Sequence, residues 1–263
     1  METPLLDLFD SHCHLDDAVF ATDRAEVWQR ARRAGVADVL VPAYSAPYWE
    51  RLQSLCASDP HLHPAYGIHP GFVAEHTDRD LQRLERYLPE AVAIGEIGLD
   101  RWPGAPDLAL QQRFLTPQLA MAQAAGLPVI LHARHAVEEL LLILRRFPGV
   151  RGVVHSFAGS AVQARRLINQ GFLLGFGGAI TYPRARRLRT LLSGLPTTAI
   201  LLETDAPYQP LWGHQGERNE PALLGEVLQA MAELRRESAS DLAAVTTANA
   251  HTLFSIPAQE QQS

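Results

Sequence analysis

The chain contains no lysine: its 23 basic residues are all arginine. No lysine-derived carbamate is therefore available to bridge a pair of metal ions. Cysteine is almost absent. Cys13 and Cys56 alone exclude a disulfide framework and make a reducing cytoplasm the expected compartment. Cys13 itself reads as a small buried hydrophobe. Positive charge is in deficit. A net charge of -6 argues against a broad basic surface wrapped on duplex nucleic acid, but permits a small site that grips one strand end. No run reaches the ~20 apolar residues that span a bilayer, so no membrane partner is expected. The segment Met1-Glu2-Thr3-Pro4 lacks the basic and apolar regions of a signal peptide.

What is present fits a soluble globular enzyme. Hydrophobic residues make up 47% and charged residues 20% of 263, a length suited to one (β/α)8 barrel of roughly 250 residues. Apolar strand-like runs stand at about 5–9, 38–42, 64–68, 91–94 (continuing into 95–100), 128–131, 152–154, 172–176 and 199–202. Helical segments follow at 22–34, 47–58, 78–88, 107–125, 137–147, 160–170, 183–192, 221–236 and 238–249. Strands alternating with helices predict parallel pairing through right-handed crossovers, hence an α/β fold, a single TIM barrel. No linker-like composition divides the chain, so residues 1–256 are expected to form the barrel and 257–263 a polar tail.

The run 5–9 leads into Asp10-Ser11-His12-Cys13-His14. Side chains alternate along a strand, so His12 and His14 share one side. Alone the pair is ambiguous; the other strand ends decide. Strand three leads to His69, strand four to Glu96, strand five to His132, strand six to His155 and strand eight to Asp205. In a parallel barrel these ends share the C-terminal face, where such enzymes place their chemistry. His12, His14, Glu96, His132, His155 and Asp205 outnumber the needs of one tetrahedral ion, so a dinuclear centre is expected, its ions ~3.5–4 Å apart. With no lysine to carry a carbamate, Glu96 is the natural bridge. Asp205 can ligate one ion and accept the proton of the activated water.

Other histidines read as structural. His61 and His63 repeat the His-x-His spacing but precede strand three, which puts them in a loop on the opposite face. His76, His214 and His251 have no convergent partner, whereas His135, after Arg134 in the loop following strand five, could touch substrate, though position alone favours a structural place. The run Arg184-Ala185-Arg186-Arg187-Leu188-Arg189 invites a nucleic-acid reading, yet fits the solvated face of an outer helix better.

Taken in order, the motifs resemble those of the TatD family of metal-dependent deoxyribonucleases in the amidohydrolase superfamily, over essentially the full length. They are His12-Cys13-His14, Tyr66-Gly67-Ile68-His69-Pro70, Gly95-Glu96-Ile97-Gly98-Leu99-Asp100 and Pro128-Val129-Ile130-Leu131-His132-Ala133-Arg134. His155-Ser156-Phe157, Glu203-Thr204-Asp205-Ala206-Pro207-Tyr208 and Arg218-Asn219-Glu220-Pro221 complete the set. The likeness is greatest to the YjjV branch, through Gly178-Ala179-Ile180-Thr181-Tyr182-Pro183.

The resemblance implies one ion on His12, His14, Glu96 and Asp205 and a second on Glu96, His132 and His155. It implies that His69, Arg134, Glu203 and Tyr208 hold phosphate or shape the pocket. The implied reaction is 3′-to-5′ exonuclease hydrolysis of single-stranded DNA ends, with two divalent ions drawn from Zn, Mn, Mg, Co or Ni. The same site also suits a small ester, lactone, amide or phosphoester. A non-catalytic binding protein is the remaining reading, against which the complete ligand set argues. No obligate protein partner is implied.

Overall fold

Every apolar run of the sequence becomes a strand, and the helix after it returns the chain to the same end of the sheet. In the computed structural model, which describes residues 6–257, the strands are β1 (Leu8–Asp10), β2 (Val36–Pro42), β3 (Leu62–Tyr66), β4 (Ala93–Asp100), β5 (Val129–Arg134), β6 (Gly152–Val154), β7 (Phe172–Phe176) and β8 (Ile200–Leu202). They lie in the order β1 to β8, each neighbouring pair from β1–β2 to β7–β8 parallel. The β8–β1 seam is tied differently. Ser11 donates from its amide (2.9 Å) and its hydroxyl (2.8 Å) to the Leu202 carbonyl. Asp10 accepts the Thr204 amide at 3.0 Å and its hydroxyl at 2.5 Å. The result is the expected (β/α)8 barrel.

The helices are α1 (Arg24–Arg33), α2 (Trp49–Ala57), α3 (Asp78–Leu84), α4 (Leu108–Ala125), α5 (Val137–Leu144), α6 (Ala161–Asn169), α7 (Arg186–Ser193), α8 (Leu224–Arg235) and α9 (Ala239–Phe254). Their starts carry the caps that free amides require: Asp107 accepts from the Ala109 amide, and Ser160 with Gln163 forms a capping box. Gly126, left-handed at φ 67, ends α4. The seventh helix begins at Arg186, later than the expected 183, because Tyr182 stays extended and the chain first makes a short 3-10 turn at Gly178–Thr181.

One residue from each strand fills the lower barrel: Phe9, Leu40, Ala65, Ala93, Ile130, Val153, Leu173 and Leu201. Ala250, Leu253 and Phe254 of α9 plug that end, which is why this helix continues past the expected 249. A larger apolar layer lies between sheet and helices. Strand side chains repeat their face every second residue, so the floor residues Ile130 and Val153 are followed upward by His132 and His155. Of the expected polar tail, residues 258–263 lie outside the described residues. Among the described residues no helix is long and apolar enough to cross a membrane.

Candidate metal centre

The first histidine pair follows β1 in an extended segment. The Cys13 amide donates to the Leu40 carbonyl at 3.1 Å and the His14 amide to that of Ala206 at 2.8 Å. Cys13 therefore turns outward into the core, fully buried, and both imidazoles turn into the barrel mouth, their Nε2 atoms 3.2 Å apart.

Glu96 reaches the same point because β4 is irregular. Ile94 pairs with Val129 and Ile97 with Leu131, so three steps on β4 match two on β5. Such a bulge re-aims the extra side chain. Gly98 then lets the strands approach: at φ 143 a Cβ there would lie 2.0 Å from the His132 carbonyl oxygen.

The two oxygens of Glu96 face two separate histidine sets. Oε2 lies 3.4 Å from His12 Nε2 and 3.6 Å from His14 Nε2. Oε1 lies 2.7 Å from His155 Nε2, 3.0 Å from His132 Nδ1 and 3.4 Å from His69 Nε2. Asp205, left-handed at φ 56 just past β8, joins the first set, its Oδ1 3.5 Å from His14 and 3.7 Å from His12. Three overlapping groups have donor spacings that can hold an ion: His12–His14–Glu96, His12–His155–Asp205 and His69–Glu96–His132.

The far side of each ring decides what the near side offers. His14 Nδ1 sits 3.0 Å from the Pro42 carbonyl, an acceptor only, so that nitrogen carries the proton and Nε2 presents its lone pair to the centre. His132 Nε2 meets Asp100 Oδ2 at 3.1 Å, which leaves Nδ1 as the inward lone pair. His69 is the reverse case. Its Nδ1 accepts from the Gly71 amide at 3.0 Å, so in the neutral ring Nε2 is protonated and is a donor, not a ligand. We accordingly set His69 apart from the metal-holding groups despite its spacing.

Electrostatics point to the same demand for positive charge. Burial alone would raise Glu96, but His155, His69 and His12 outweigh it and hold the carboxyl well below its usual range. Against burial, hydrogen bonds donated to carboxylates, Asp205 for His14 and Asp100 with Glu96 for His132, raise both imidazoles to about 9. A divalent cation would meet that demand as protons do, and the inward lone pairs of His14 and His132 suit one.

Four supporting groups were not singled out by sequence reasoning: Asp100, the Pro42 carbonyl, Gln209 and Asp10. Gln209 Nε2 donates to Asp205 Oδ2 at 2.5 Å, leaving Oδ1 for the centre. Asp10, pushed up to about 7 by burial, accepts from the amides of His12 and Thr204 and so ties both ligand loops together. Asp100 had a legible signal, four residues beyond Glu96 on one strand.

The expected pocket residues divide. His69, Arg134 and Tyr208 line a cleft of about 1110 Å³ above the centre. Glu203 stands behind it, 1% exposed. It accepts from the Ser156 amide at 2.6 Å, lies where a Cβ on Gly175 would fall 2.1 Å from Oε2, and is pushed by burial and by Asp205 to about 8. That is a supporting place behind His155, not one facing a substrate. His135 and Arg187 also line the cleft, so one residue of the arginine run does reach its mouth. His61 and His63 lie at the opposite end, with His63 inside β3 instead of in a loop, and His251 converges with them on Asp38.

An (β/α)8 barrel with imidazoles and carboxylates gathered at its C-terminal mouth defines the class of metal-dependent hydrolases. Residues 9–255 match the family model described as TatD related DNase, and the chain belongs to that family. It is 43% identical to the uncharacterized metal-dependent hydrolase YjjV of Escherichia coli K12, over 94% of this chain and 98% of that one. The crystal structure of that TatD homologue superposes with a TM-score of 0.92 at 40% identity, covering 96% and 100% of the two chains. The 3'-5' ssDNA/RNA exonuclease TatD of Erwinia tasmaniensis is 34% identical over 95% of this chain and all of its own length, 100%.

Proposed function

We propose that this metal-dependent hydrolase cleaves phosphodiesters at single-stranded DNA ends, removing nucleotides in the 3′-to-5′ direction. The observation that carries the reading is the division of Glu96, one oxygen toward His12 and His14 and the other toward His132 and His155. A carboxylate so placed could be shared by two cations, one on each side. His12, His14, Glu96 and Asp205 would hold one ion, and Glu96, His132 and His155 the other. Two divalent ions held there would supply Lewis acidity toward the phosphoryl oxygens and a lowered pKa for the attacking water.

The chain's own groups do the rest. Asp205, oriented by Gln209, would take the proton of the attacking water. His69 directs a protonated Nε2 toward the centre, and the Arg134 guanidinium stands at the cleft wall, both suited to phosphate oxygens. Tyr208, hydrogen-bonded to Asp17 at 3.0 Å, borders the His14 side. The exonuclease name of the Erwinia relative supports the substrate class. Two free, buried thiols, Cys13 and Cys56, fit a cytoplasmic setting.

The test is turnover of a 5′-labelled single-stranded oligonucleotide with Mg²⁺ or Mn²⁺, with EDTA, and with His132→Ala. Metal-dependent shortening from the 3′ end, lost in the variant, is the expected result. A protein that binds two metals but shortens no oligonucleotide with any ion overturns the nuclease reading in favour of a small ester or phosphoester.

A further inference from the structure

Beyond the metal centre the same cleft has a second floor, built of flat groups instead of ligands. Trp102, in the loop after β4, is 49% exposed. The Arg134 guanidinium lies over its ring at 3.6 Å, and the His135 ring lies nearly parallel to it at 14°, centroids 6.0 Å apart. All three line the cleft that holds His132 and Glu96.

This assembly is fixed by the fold. Asp100 accepts from the Trp102 amide through Oδ1 at 2.7 Å and contacts His132 through Oδ2 at 3.1 Å, so one carboxylate ties the tryptophan to the metal centre. The Arg101 amide donates to the Arg134 carbonyl at 2.9 Å, which holds the loop against the end of β5. His135 sits in the left-handed region at φ 54. Arg134 shares a strand face with His132, ~6.6 Å further along at the usual rise per residue. Among the described residues no group accepts a hydrogen bond from the Arg134 guanidinium, so its edge stays free while its plane is stacked. A guanidinium held 3.6 Å over an indole, its donors without an acceptor among the described residues, is placed to serve a charged, flat ligand.

We propose that Trp102, Arg134 and His135 form a nucleobase-stacking subsite, with Arg134 presenting its donors to the adjoining phosphate. Bases stack on aromatic rings and guanidinium planes without sequence preference. This assignment deepens the proposed function and rests on the nucleic-acid reading of the site. It gives an acidic protein a means of holding a strand end without a broad basic surface.

The test is equilibrium binding, read by fluorescence anisotropy in EDTA so that turnover plays no part. The probes are a short 5′-fluorescein-labelled single-stranded DNA and the same strand with abasic 3′-terminal nucleotides. Wild-type protein is expected to bind the intact strand about ten-fold tighter, the order of one stacked base. Trp102→Ala should abolish that preference, whatever it does to the affinity for the abasic strand, while Trp102→Phe should retain most of it. Equal binding of the two strands by the wild type, or a preference that survives Trp102→Ala, overturns the subsite. Base-dependent binding by a protein that shortens no strand with Mg²⁺ or Mn²⁺ sustains the subsite and removes the exonuclease reading instead.

Discussion

The chain carries the same tripeptide spacing at both ends of one barrel, and only one copy builds a candidate metal centre. At the C-terminal mouth, His12 and His14 meet two further imidazoles and two carboxylates. At the plugged end, His63 Nε2 lies 2.8 Å and His61 Nδ1 3.4 Å from Asp38 Oδ1, and His251 Nε2 3.5 Å from Oδ2. There every ring turns toward one carboxylate, and Phe9 stacks on His63 and meets the edge of His251. At the mouth, outer acceptors fix the far nitrogens of His14 and His132 and so direct lone pairs inward. Among the described residues no group with metal-holding spacing includes Asp38. The His-x-His spacing does not separate the two clusters. The acceptors on the far sides of His14 and His132 do.

The largest effect that would sharpen this contrast is at Asp205. Asp205→Asn keeps the shape and the Gln209 contact but removes the proposed proton acceptor, and should lower kcat by ~10²–10⁴-fold. Undiminished turnover with full metal content would remove Asp205 from the chemistry. Asp100→Asn comes next. It touches no reacting atom, yet without an anionic acceptor at Nε2 the His132 tautomer is no longer fixed. A loss of ~10–100-fold in metal affinity or activity is expected, read as metal retained after dialysis alongside turnover. If Asp100→Asn retains metal like the wild type, the far-side argument fails. His61→Ala, at the plugged end, should change neither quantity.

The barrel was legible because apolar runs and helices alternate along the whole chain, and because strand periodicity carries His132 and His155 up from the apolar floor residues Ile130 and Val153. The convergence of His12, His14, Glu96, His132, His155 and Asp205 was legible because strand ends share a face. The residues that were missed act through tertiary contacts that no local pattern records. Pro42 contributes a main-chain carbonyl from β2, which its side chain gives no hint of. Gln209 reaches Asp205 from a left-handed position, φ 49, in a loop. Glu203 matched a pocket motif, but Gly175 on β7 leaves it a slot behind His155, and only the packed barrel reveals which way it turns. Asp38 looked like an ordinary strand residue until α9 brought His251 against it.

Asp38 supplies the smallest expected effect and the strictest test of the contrast. It is 4% exposed. Burial would raise its carboxyl, yet His63, His251 and His61 outweigh this and hold it below the ordinary 3.8. A carboxyl whose folded-state pKa is depressed stabilises the fold while ionised. That contribution is complete at neutral pH and fades as pH falls from 3.8 through the lower folded value. Asp38→Asn removes the charge at every pH and leaves the imidazoles facing a weaker acceptor. It should cost about 1–3 kcal/mol near pH 7, read from urea unfolding midpoints, with the difference from wild type shrinking below pH 3.8. Turnover per folded molecule and metal content at pH 7 should both match the wild type. A pH-independent penalty would mean that packing, not charge, holds this cluster. A loss of metal would mean that the two ends of the barrel are coupled, and that the lower histidines belong to the site after all.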